Sequence, residues 1–210
     1  MEKEKDLKEL IENAENGDAE AMVTLSRIYW KEGDISKASE YTLRAAQKGN
    51  AGAEFAIGME YCFGIGGQEI CVAEGVRYLR NAAKKNVAQA QFTLAVVFDN
   101  IEEARAYMAD GETSILYLEK AAKQGHADAQ VMLGDKYLKG SGIEKSMDKA
   151  IFWWCCACLQ KKESSSDARN RINSLLQGKD SNGVQKIQIL QVMDDIKANY
   201  PQYIQNNIPY

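Results

Sequence analysis

Proline is almost absent from this sequence. Its two prolines, Pro201 and Pro209, both lie within the last ten of the 210 residues. Proline breaks helices because it has no backbone N–H and clashes with the preceding turn. The long stretch before Pro201 is rich in Ala, Lys, Glu, Gln and Leu, which favour helix. The sequence therefore predicts an all-α protein.

Long apolar runs and an excess of one charge are also missing. A membrane-spanning helix needs about 20 consecutive apolar residues, and the sequence contains no such run. The N-terminal segment MEKEKDLKELIENAENGD is charged and does not resemble a secretory signal, so we expect a cytoplasmic protein without a membrane span. The 26 Lys and Arg are interspersed with 30 Asp and Glu. This mixture argues against nucleic acid as a partner, because nucleic-acid-binding proteins usually carry a basic stripe.

Residues suited to catalysis are scarce. The one histidine, His126, lies in the segment QGHADA, where Asn50 and Val87 stand in the corresponding segments KGNAGA and KNVAQA. Such interchange indicates a turn residue rather than a general acid or base. The glycine cluster GIGG at 64–67 lacks the Lys-Ser/Thr pair of a phosphate-binding loop. We expect a protein that is not an enzyme, with no catalytic residues, no cofactor and no metal.

Two motifs alternate along the chain and form an internal repeat. The first, A-x-x-x-(L/I)-small-x-x-(Y/F), occurs at residues 21–29, 53–61, 90–98 and 129–137. The second, aromatic-x-x-x-A-A, begins at Tyr41, Tyr78 and Tyr117, and WWCCAC from Trp153 is its fourth copy. In the first motif Ala, Leu or Ile, and the aromatic residue are spaced to share one helix face. Each repeat is therefore predicted to be a pair of helices.

The spacing of the motifs predicts how these helices pack. From the aromatic residue of the second motif to the first Ala of the next repeat is twelve residues in all three cases, whereas the loop within a repeat varies. Variable loops between constant helices are typical of stacked helical hairpins. Small residues recur in both motifs, and we expect them to let neighbouring helices approach closely. They are Ser26, Gly58, Ala95 and Gly134 in the first helices, and Ala38, Gly75, Ser114 and Ala150 in the second.

The stretch AQVMLGDKYLKGSGIEKSMDKAIFWW, residues 129–154, resembles a Sel1-like repeat. It matches the pattern A-x-x-x-L-G-x-x-Y-x-x-G-x-G-V, and AIGMEYCFGIG is a second good match. The resemblance covers roughly residues 16–168 and implies a right-handed α/α solenoid of about four tetratricopeptide-like repeats. We expect one domain over residues 1–200. It would comprise a capping helix in 1–18, the repeats in 19–168 and capping helices in 169–200, followed by a tail in 201–210.

Three cysteines cluster at residues 155–158, where a metal or redox site is one interpretation. Aligned on the aromatic residue, Cys158 falls where the other repeats carry alanine, which predicts a small buried position. Cys155 and Cys156 fall where the other repeats carry Leu, Arg, Asn, Glu or Lys, which predicts tolerance of charge. Zinc needs four ligands, and the chain offers few to complete a set. Helix packing is the favoured interpretation. Some secreted Sel1-like members carry a disulfide in each repeat, but no matching pair of positions here holds two cysteines.

The first helix of each repeat is expected to line the concave side of such a solenoid. Residues near its Leu or Ile differ in chemistry from repeat to repeat, which suits a specific ligand. The candidate partner-binding residues are Arg27, Trp30, Met59, Asp99 and Asp135. Trp30 stands where the other repeats carry Cys62, Asp99 and Leu138, so the stack does not require an indole there. Neighbouring apolar residues such as Val23 and Phe55 have the alternative role of packing between repeats.

The resemblance implies a non-catalytic module that binds a partner protein as an adaptor, scaffold or regulator. An alternative is a bacterial immunity-type protein that neutralises a secreted toxin by direct binding. An alternative of another class is a thiol- or metal-dependent enzyme that uses the cysteines at 155–158. Metal content and thiol titration of the purified protein distinguish the last alternative from the first two.

Overall fold

Helices make up the described part of the computed structural model, which comprises residues 2–67, 69–160, 164–176 and 183–204. No strand occurs among these residues, and the prediction of an all-α protein is confirmed. The helices are α1 (Glu2–Glu15), α2 (Ala19–Glu32), α3 (Ile35–Gln47), α4 (Ala51–Phe63), α5 (Val72–Lys84), α6 (Ala88–Asn100), α7 (Ser114–Lys123), α8 (Ala127–Lys139), α9 (Met147–Cys158), α10 (Ser164–Leu176) and α11 (Gly183–Asn199). Short 3-10 turns occupy Ile65–Gly67, Glu103–Tyr107 and Pro201–Ile204.

The chain divides into two compact units, Met1–Ala109 and Asp110–Tyr210. The first unit holds α1 to α6, and the second holds α7 to α11. The boundary lies in the longest loop within a repeat, between the two helices of the third repeat. The expectation of one domain over residues 1–200 stays a prediction.

The two sequence motifs correspond to the two helices of each repeat. The first motif lies on α2, α4, α6 and α8, and the second lies on α3, α5, α7 and α9. Within the first unit α2 packs against α3 and α4 against α5, and within the second α8 packs against α9. The prediction of helical hairpins is confirmed.

The constant linkers between repeats share one backbone conformation. Gly49 and Gly125 adopt positive φ angles of 83° and 81°, and Asn86 takes the same place with a φ of 66°. Asparagine is the residue other than glycine that tolerates this left-handed region best. The linker then starts the next helix, because the Asn50 side chain accepts a hydrogen bond from the Ala53 N–H at 3.0 Å.

His126 starts α8 in the same way as Asn50 starts α4. Its Nδ1 accepts a hydrogen bond from the Ala129 N–H at 3.3 Å, and the ring is buried. This confirms the prediction that His126 belongs to a turn, and adds that the imidazole itself caps a helix.

Small residues allow the two helices of a hairpin to touch. A Cβ on Gly58 of α4 would lie 2.9 Å from Leu79 Cγ of α5. A Cβ on Gly75 of α5 would lie 2.3 Å from Cys62 Sγ and 3.0 Å from the Cys62 backbone nitrogen. These separations are shorter than carbon contacts permit, so glycine is required at both positions.

The first hairpin uses polar contacts at the equivalent place. Ser26 Oγ of α2 lies 2.7 Å from Thr42 Oγ1 of α3, where the second repeat has Gly58 and Leu79. The aromatic residues of the two motifs then stack on each other. The ring centroids of Tyr29 and Tyr41 are 5.7 Å apart at an interplanar angle of 6°, close to an ideal offset-stacked pair.

The cysteine positions correct the sequence interpretation. Cys155 and Cys156 are both 0% exposed, whereas Cys158 is half-buried. The prediction that Cys155 and Cys156 occupy charge-tolerant positions is therefore wrong, and the position of Cys158, predicted to be buried, is only partly so. The equivalent positions of the earlier repeats are half-buried or exposed. The helix α9 differs because α11 packs against it in addition to α10, whereas within the described residues α3 and α5 each pack against only one following α-helix.

The C-terminal segment follows part of the expected capping arrangement. Ala168 and Ile172 of α10 are buried, and this helix packs against α8 and α9. The tail predicted at residues 201–210 is described in part. Its first four residues, Pro201–Ile204, form a 3-10 turn that contacts α7, α9 and α11. Residues 205–210 lie outside the described residues.

The helix contact at Gly75 can be tested with one methyl group. We expect Gly75→Ala to lower the free energy of unfolding by about 1–3 kcal/mol, because the methyl overlaps Cys62 in a packed core. The measurement is urea unfolding followed by circular dichroism.

Gly52→Ala is the matched control. Gly52 is an exposed residue of α4 where a Cβ would lie an ordinary 3.4 Å from Asn50 Oδ1. Replacing glycine by alanine in a helix stabilises it by up to about 1 kcal/mol. Equal effects of the two substitutions would contradict the close contact.

Candidate partner-binding surface

Arg27 and Trp30 lie one turn apart on α2 and are both exposed. Residues three apart in a helix share a face. The helix is fixed at both ends. Asp18 caps its start, and the Gly33 N–H donates to the Trp30 carbonyl oxygen at 3.2 Å. The backbone of Trp30 is thus held in place while 53% of the residue surface is exposed to solvent.

The position equivalent to Trp30 in the second repeat is buried. Cys62 is packed there against Gly75 of the following helix. In the first repeat Ala38 replaces Gly75 and is itself buried. The methyl group of Ala38 takes up the space that Cys62 Sγ occupies beside Gly75, and an indole is much larger than a thiol. As a result, Trp30 cannot occupy the buried position that Cys62 fills. The side chain therefore projects from the hairpin.

Met59 and Asp99 lie on the other first-type helices of this unit and are half-buried. Met59 is on α4 at the place that Arg27 has on α2. Asp99 is in the last turn of α6, where its carbonyl oxygen accepts a hydrogen bond from Arg105 Nη2 at 2.9 Å. Exposure among the predicted residues of the first unit is thus concentrated at Arg27 and Trp30.

Asp135, the predicted residue of the second unit, is already engaged within the protein. Its carboxylate accepts two hydrogen bonds from Arg171, at 2.6 Å from Nε and 2.8 Å from Nη2. Trp154 Nε1 donates to the same carboxylate at 3.1 Å. A bidentate pair of this kind is geometrically specific, and hydrogen bonding to Asp135 raises the pKa of Arg171. A partner contact at Asp135 stays a prediction, and it would have to compete with these bonds.

Sequence reasoning overlooked apolar side chains exposed around the loop of the second repeat. Phe63, Ile65 and Ile70 are exposed by 42%, 40% and 60%. The 3-10 turn at Ile65–Gly67 packs on α3, so this loop lies at the same end of the hairpins as Trp30. Exposed apolar groups at one end of a fold are typical of interaction sites. The available signal was apolar residues in a loop between two helices, where polar residues are usual.

A buried carboxylate lies beneath this loop. Glu60 of α4 accepts a hydrogen bond from Ser39 Oγ of α3, and both residues are buried. Burial raises the pKa of Glu60 above its ordinary value, and the hydrogen bond from Ser39 opposes this in part. Glu60 joins α3 to α4 across two repeats, so it contributes to the scaffold that holds the Trp30 end.

The five cysteines are free thiols. Burial raises the pKa of Cys62 and of Cys158 to about 11, and that of Cys155 to about 12. The thiolate is the reactive form, so these groups stay protonated at neutral pH. Within the described ranges, no three His, Cys, Asp or Glu side chains are grouped to hold a metal ion. In the same residues we find no helix with the length and hydropathy of a membrane span.

The Sel1 repeat profile matches the chain in four consecutive stretches, at residues 25–50, 51–87, 89–126 and 127–162. The chain belongs to the Sel1 repeat family. These stretches follow the helix pairs described above, and the solenoid expected from the resemblance is the fold of this family. Sel1 repeat proteins are generally protein-interaction modules without catalytic activity.

Similar proteins include relatives known by sequence and by structure. The Sel1-repeat-containing protein YjcO of Escherichia coli K12 is 28% identical over 151 residues, which are 67% of this chain and 61% of that protein. The crystal structure of a Sel1 repeat protein from Oxalobacter formigenes is 26% identical, with a TM-score of 0.62, and the match covers 90% of this chain and 55% of that one.

A second solved structure shares the fold. It is c5321, a protective antigen of uropathogenic Escherichia coli, with 20% identity and a TM-score of 0.52 over 96% of this chain and 52% of that one. The Sel1 repeat chain thus spans less than two thirds of the length of each of these proteins.

The raised pKa of Glu60 predicts a pH-dependent stability. In the unfolded chain the carboxyl ionises near 4.5, whereas the folded chain holds the proton to higher pH. Its contribution to stability is therefore present below pH 4.5 and is lost as the pH rises. Glu60→Gln keeps the shape without the charge, so we expect it to melt at a higher temperature than the wild type at pH 7.

The difference in melting temperature should disappear near pH 3, where the carboxyl is neutral in both the folded and the unfolded state. Glu40→Gln, at an exposed position of α3, is the control and should change neither melt. A Glu60→Gln variant that is less stable than the wild type at pH 7 would contradict a raised pKa.

Burial of the thiols predicts one fast-reacting cysteine. Cys71 is half-exposed at the start of α5, whereas Cys62, Cys155 and Cys156 are buried. Cys158 is also half-buried, but burial raises its pKa and so slows its reaction. We expect a thiol reagent at pH 8 to label Cys71 first, and all five cysteines only after unfolding. Cys71→Ser should remove the fast phase, and a fast phase that persists in this variant would show that a buried thiol is accessible.

Proposed function

We propose that this Sel1 repeat chain binds a partner protein through the surface around Arg27 and Trp30 on α2. The observation that carries the proposal is the exposure of Trp30. An indole left 53% exposed at a position where no other repeat needs one costs free energy in water. Trp and Arg are the residues that most often anchor protein interfaces.

The charges around Trp30 indicate the kind of partner. Lys31 is exposed one turn beyond Arg27 and on the same face of α2. The three side chains present an apolar ring beside two positive charges. A partner surface with an apolar pocket and neighbouring carboxylates fits this pattern, because opposite charges steer association and fix orientation.

Half-buried Met59 and the exposed loop residues add contact area at the edge of this surface. Methionine adapts its shape to different partners because it has no branch and three rotatable bonds. Ile65 and Ile70 add apolar area at the same end of the hairpins. We place these residues at the rim and the two α2 residues at the centre, as truncation studies of interfaces commonly find. We also propose that the partner contacts Asp99 and that this surface lies on the concave side of the solenoid.

Other expected roles have less support. Toxin neutralisation, which the family resemblance suggested, has no observation in this chain that favours it over binding in general. A thiol enzyme is disfavoured by the burial and raised pKa of Cys155. The described side chains best support a protein that binds a partner without catalysing a reaction.

Affinity measurements on two variants test the proposal. A partner is first identified by pull-down from the source cell, and its binding is then measured by calorimetry. We expect Trp30→Ala to raise the dissociation constant by about 30-fold or more, which corresponds to a loss of about 2 kcal/mol of binding free energy. Its melting temperature should stay close to that of the wild type, because the indole is exposed.

Leu190→Ala is the matched control, because Leu190 on α11 is also 53% exposed. It should bind like the wild type. Unchanged affinity of Trp30→Ala would overturn the proposed surface, and a large fall in its melting temperature would show that Trp30 belongs to the core. A loss of affinity in Leu190→Ala alone would move the binding site to the second unit.

A further inference from the structure

The 3-10 turn Pro201–Ile204 is held against the second unit by aromatic stacking. The Tyr203 ring stacks on Trp153 of α9 with centroids 5.6 Å apart and an interplanar angle of 29°. The Tyr200 ring also stacks on Tyr203, with centroids 5.5 Å apart. Phe152 meets both tyrosine rings edge to face. The turn is thus docked through an aromatic side chain.

A pair of buried amides holds the backbone of the same turn. Gln130 Nε2 and Gln160 Nε2 both donate to the carbonyl oxygen of Tyr203, the second at 3.4 Å. Gln160 Nε2 also donates to Gln130 Oε1 at 2.7 Å. The two residues are 0% and 3% exposed. Such a pair recognises a main-chain group and so does not depend on the side-chain sequence of what it holds.

One atom of the amide pair has no partner. Gln160 Oε1 is buried and accepts no hydrogen bond in the described structure. A buried acceptor without a donor is destabilising. The segment at Tyr203 supplies a carbonyl oxygen to the pair but no donor to Gln160 Oε1.

The equivalent residue of the third repeat shows what packing alone requires. Gln91 Nε2 donates to the carbonyl oxygen of Ala83, in the last turn of α5, at 3.1 Å and to Asn86 Oδ1, in the following linker, at 3.3 Å. Gln130 makes the first of these bonds, to Ala122 at 3.0 Å. Its other bond goes instead to Tyr203. The fourth repeat therefore directs an amide at a separate segment.

We propose that Gln130, Phe152, Trp153 and Gln160 form a peptide-binding site, here named the aromatic slot, which residues 200–204 occupy as a tethered ligand. The ligand class is a short peptide segment of a partner protein with a tyrosine whose carbonyl oxygen meets the amide pair. A partner peptide that also donates an N–H or O–H hydrogen bond to Gln160 Oε1 binds the aromatic slot more tightly than residues 200–204 do. This inference lies wholly in the second unit and does not depend on the Trp30 surface.

Residues 200–204 regulate the aromatic slot by competing with other peptides for it. Residues 200–204 directly follow α11, so their effective concentration at the slot is on the order of millimolar. A peptide added in solution competes with them, and its apparent affinity falls by the fraction of molecules whose slot is free. Weakening the tethered segment therefore increases peptide affinity, whereas a purely structural contact predicts no such gain.

The experiment uses a labelled peptide of residues 199–204, acetylated and amidated, and the full chain. Fluorescence anisotropy measures its binding to the wild type and to Tyr203→Ala, which removes the stacked ring of the tethered segment. We expect Tyr203→Ala to bind the peptide at least tenfold more tightly than the wild type. The same peptide with alanine in place of Tyr203 should not bind.

Two further variants keep the result decisive. Tyr203→Ala combined with Gln160→Met removes the amide contact at similar volume and should lose the peptide. Pro201→Gly frees the tethered backbone without touching the slot, and it should increase peptide affinity even where Tyr203→Ala fails to fold by circular dichroism. Equal affinity of the wild type and the loosened variants, or no binding to any folded variant, would overturn the proposal.

Discussion

Close contact between two helices at small residues is the constraint on which the rest of this structure depends. Leu79 and Trp154 each lie where a Cβ on the facing glycine would overlap them. Gly75 meets the backbone of α4 itself. Because these contacts leave no room for a larger side chain, they fix how α4 packs on α5 and how α8 packs on α9. The first hairpin has a different contact at this place, where Ser26 meets Thr42. Positions that face away from the contact are not constrained in this way.

This division assigns different roles to residues that occupy equivalent positions. Cys62 fills space against the next helix, whereas Trp30 projects into solvent from the corresponding place on α2. In the second unit Trp154 fills the contact against Gly134, and its Nε1 binds Asp135, which Arg171 also holds. Function in such a repeat protein depends on side chains that the packing does not use.

Motif spacing predicted the helix pairs, the small residues and the turn at His126, because these follow from local periodicity and recur in every repeat. Local patterns did not predict contacts between distant segments. Cys155 and Cys156 are buried in a helix, α9, that α11 contacts in addition to the usual following helix, α10. The pairing of Asp135 with Arg171 and the docking of Tyr203 join residues 36 and 73 positions apart. Periodicity carries no information about such pairs.

Acrylamide quenching of tryptophan fluorescence tests the central claim, that the repeat stack holds together without Trp30 and leaves it available to a partner. The account predicts one readily quenched population in the wild type, since Trp153 and Trp154 are 7% and 1% exposed and Trp30 is 53% exposed. That population should be absent from Trp30→Phe, and this variant should remain as helical as the wild type. In the wild type, a bound partner should protect Trp30 from quenching. A quenched fraction that is unchanged in Trp30→Phe would contradict the account.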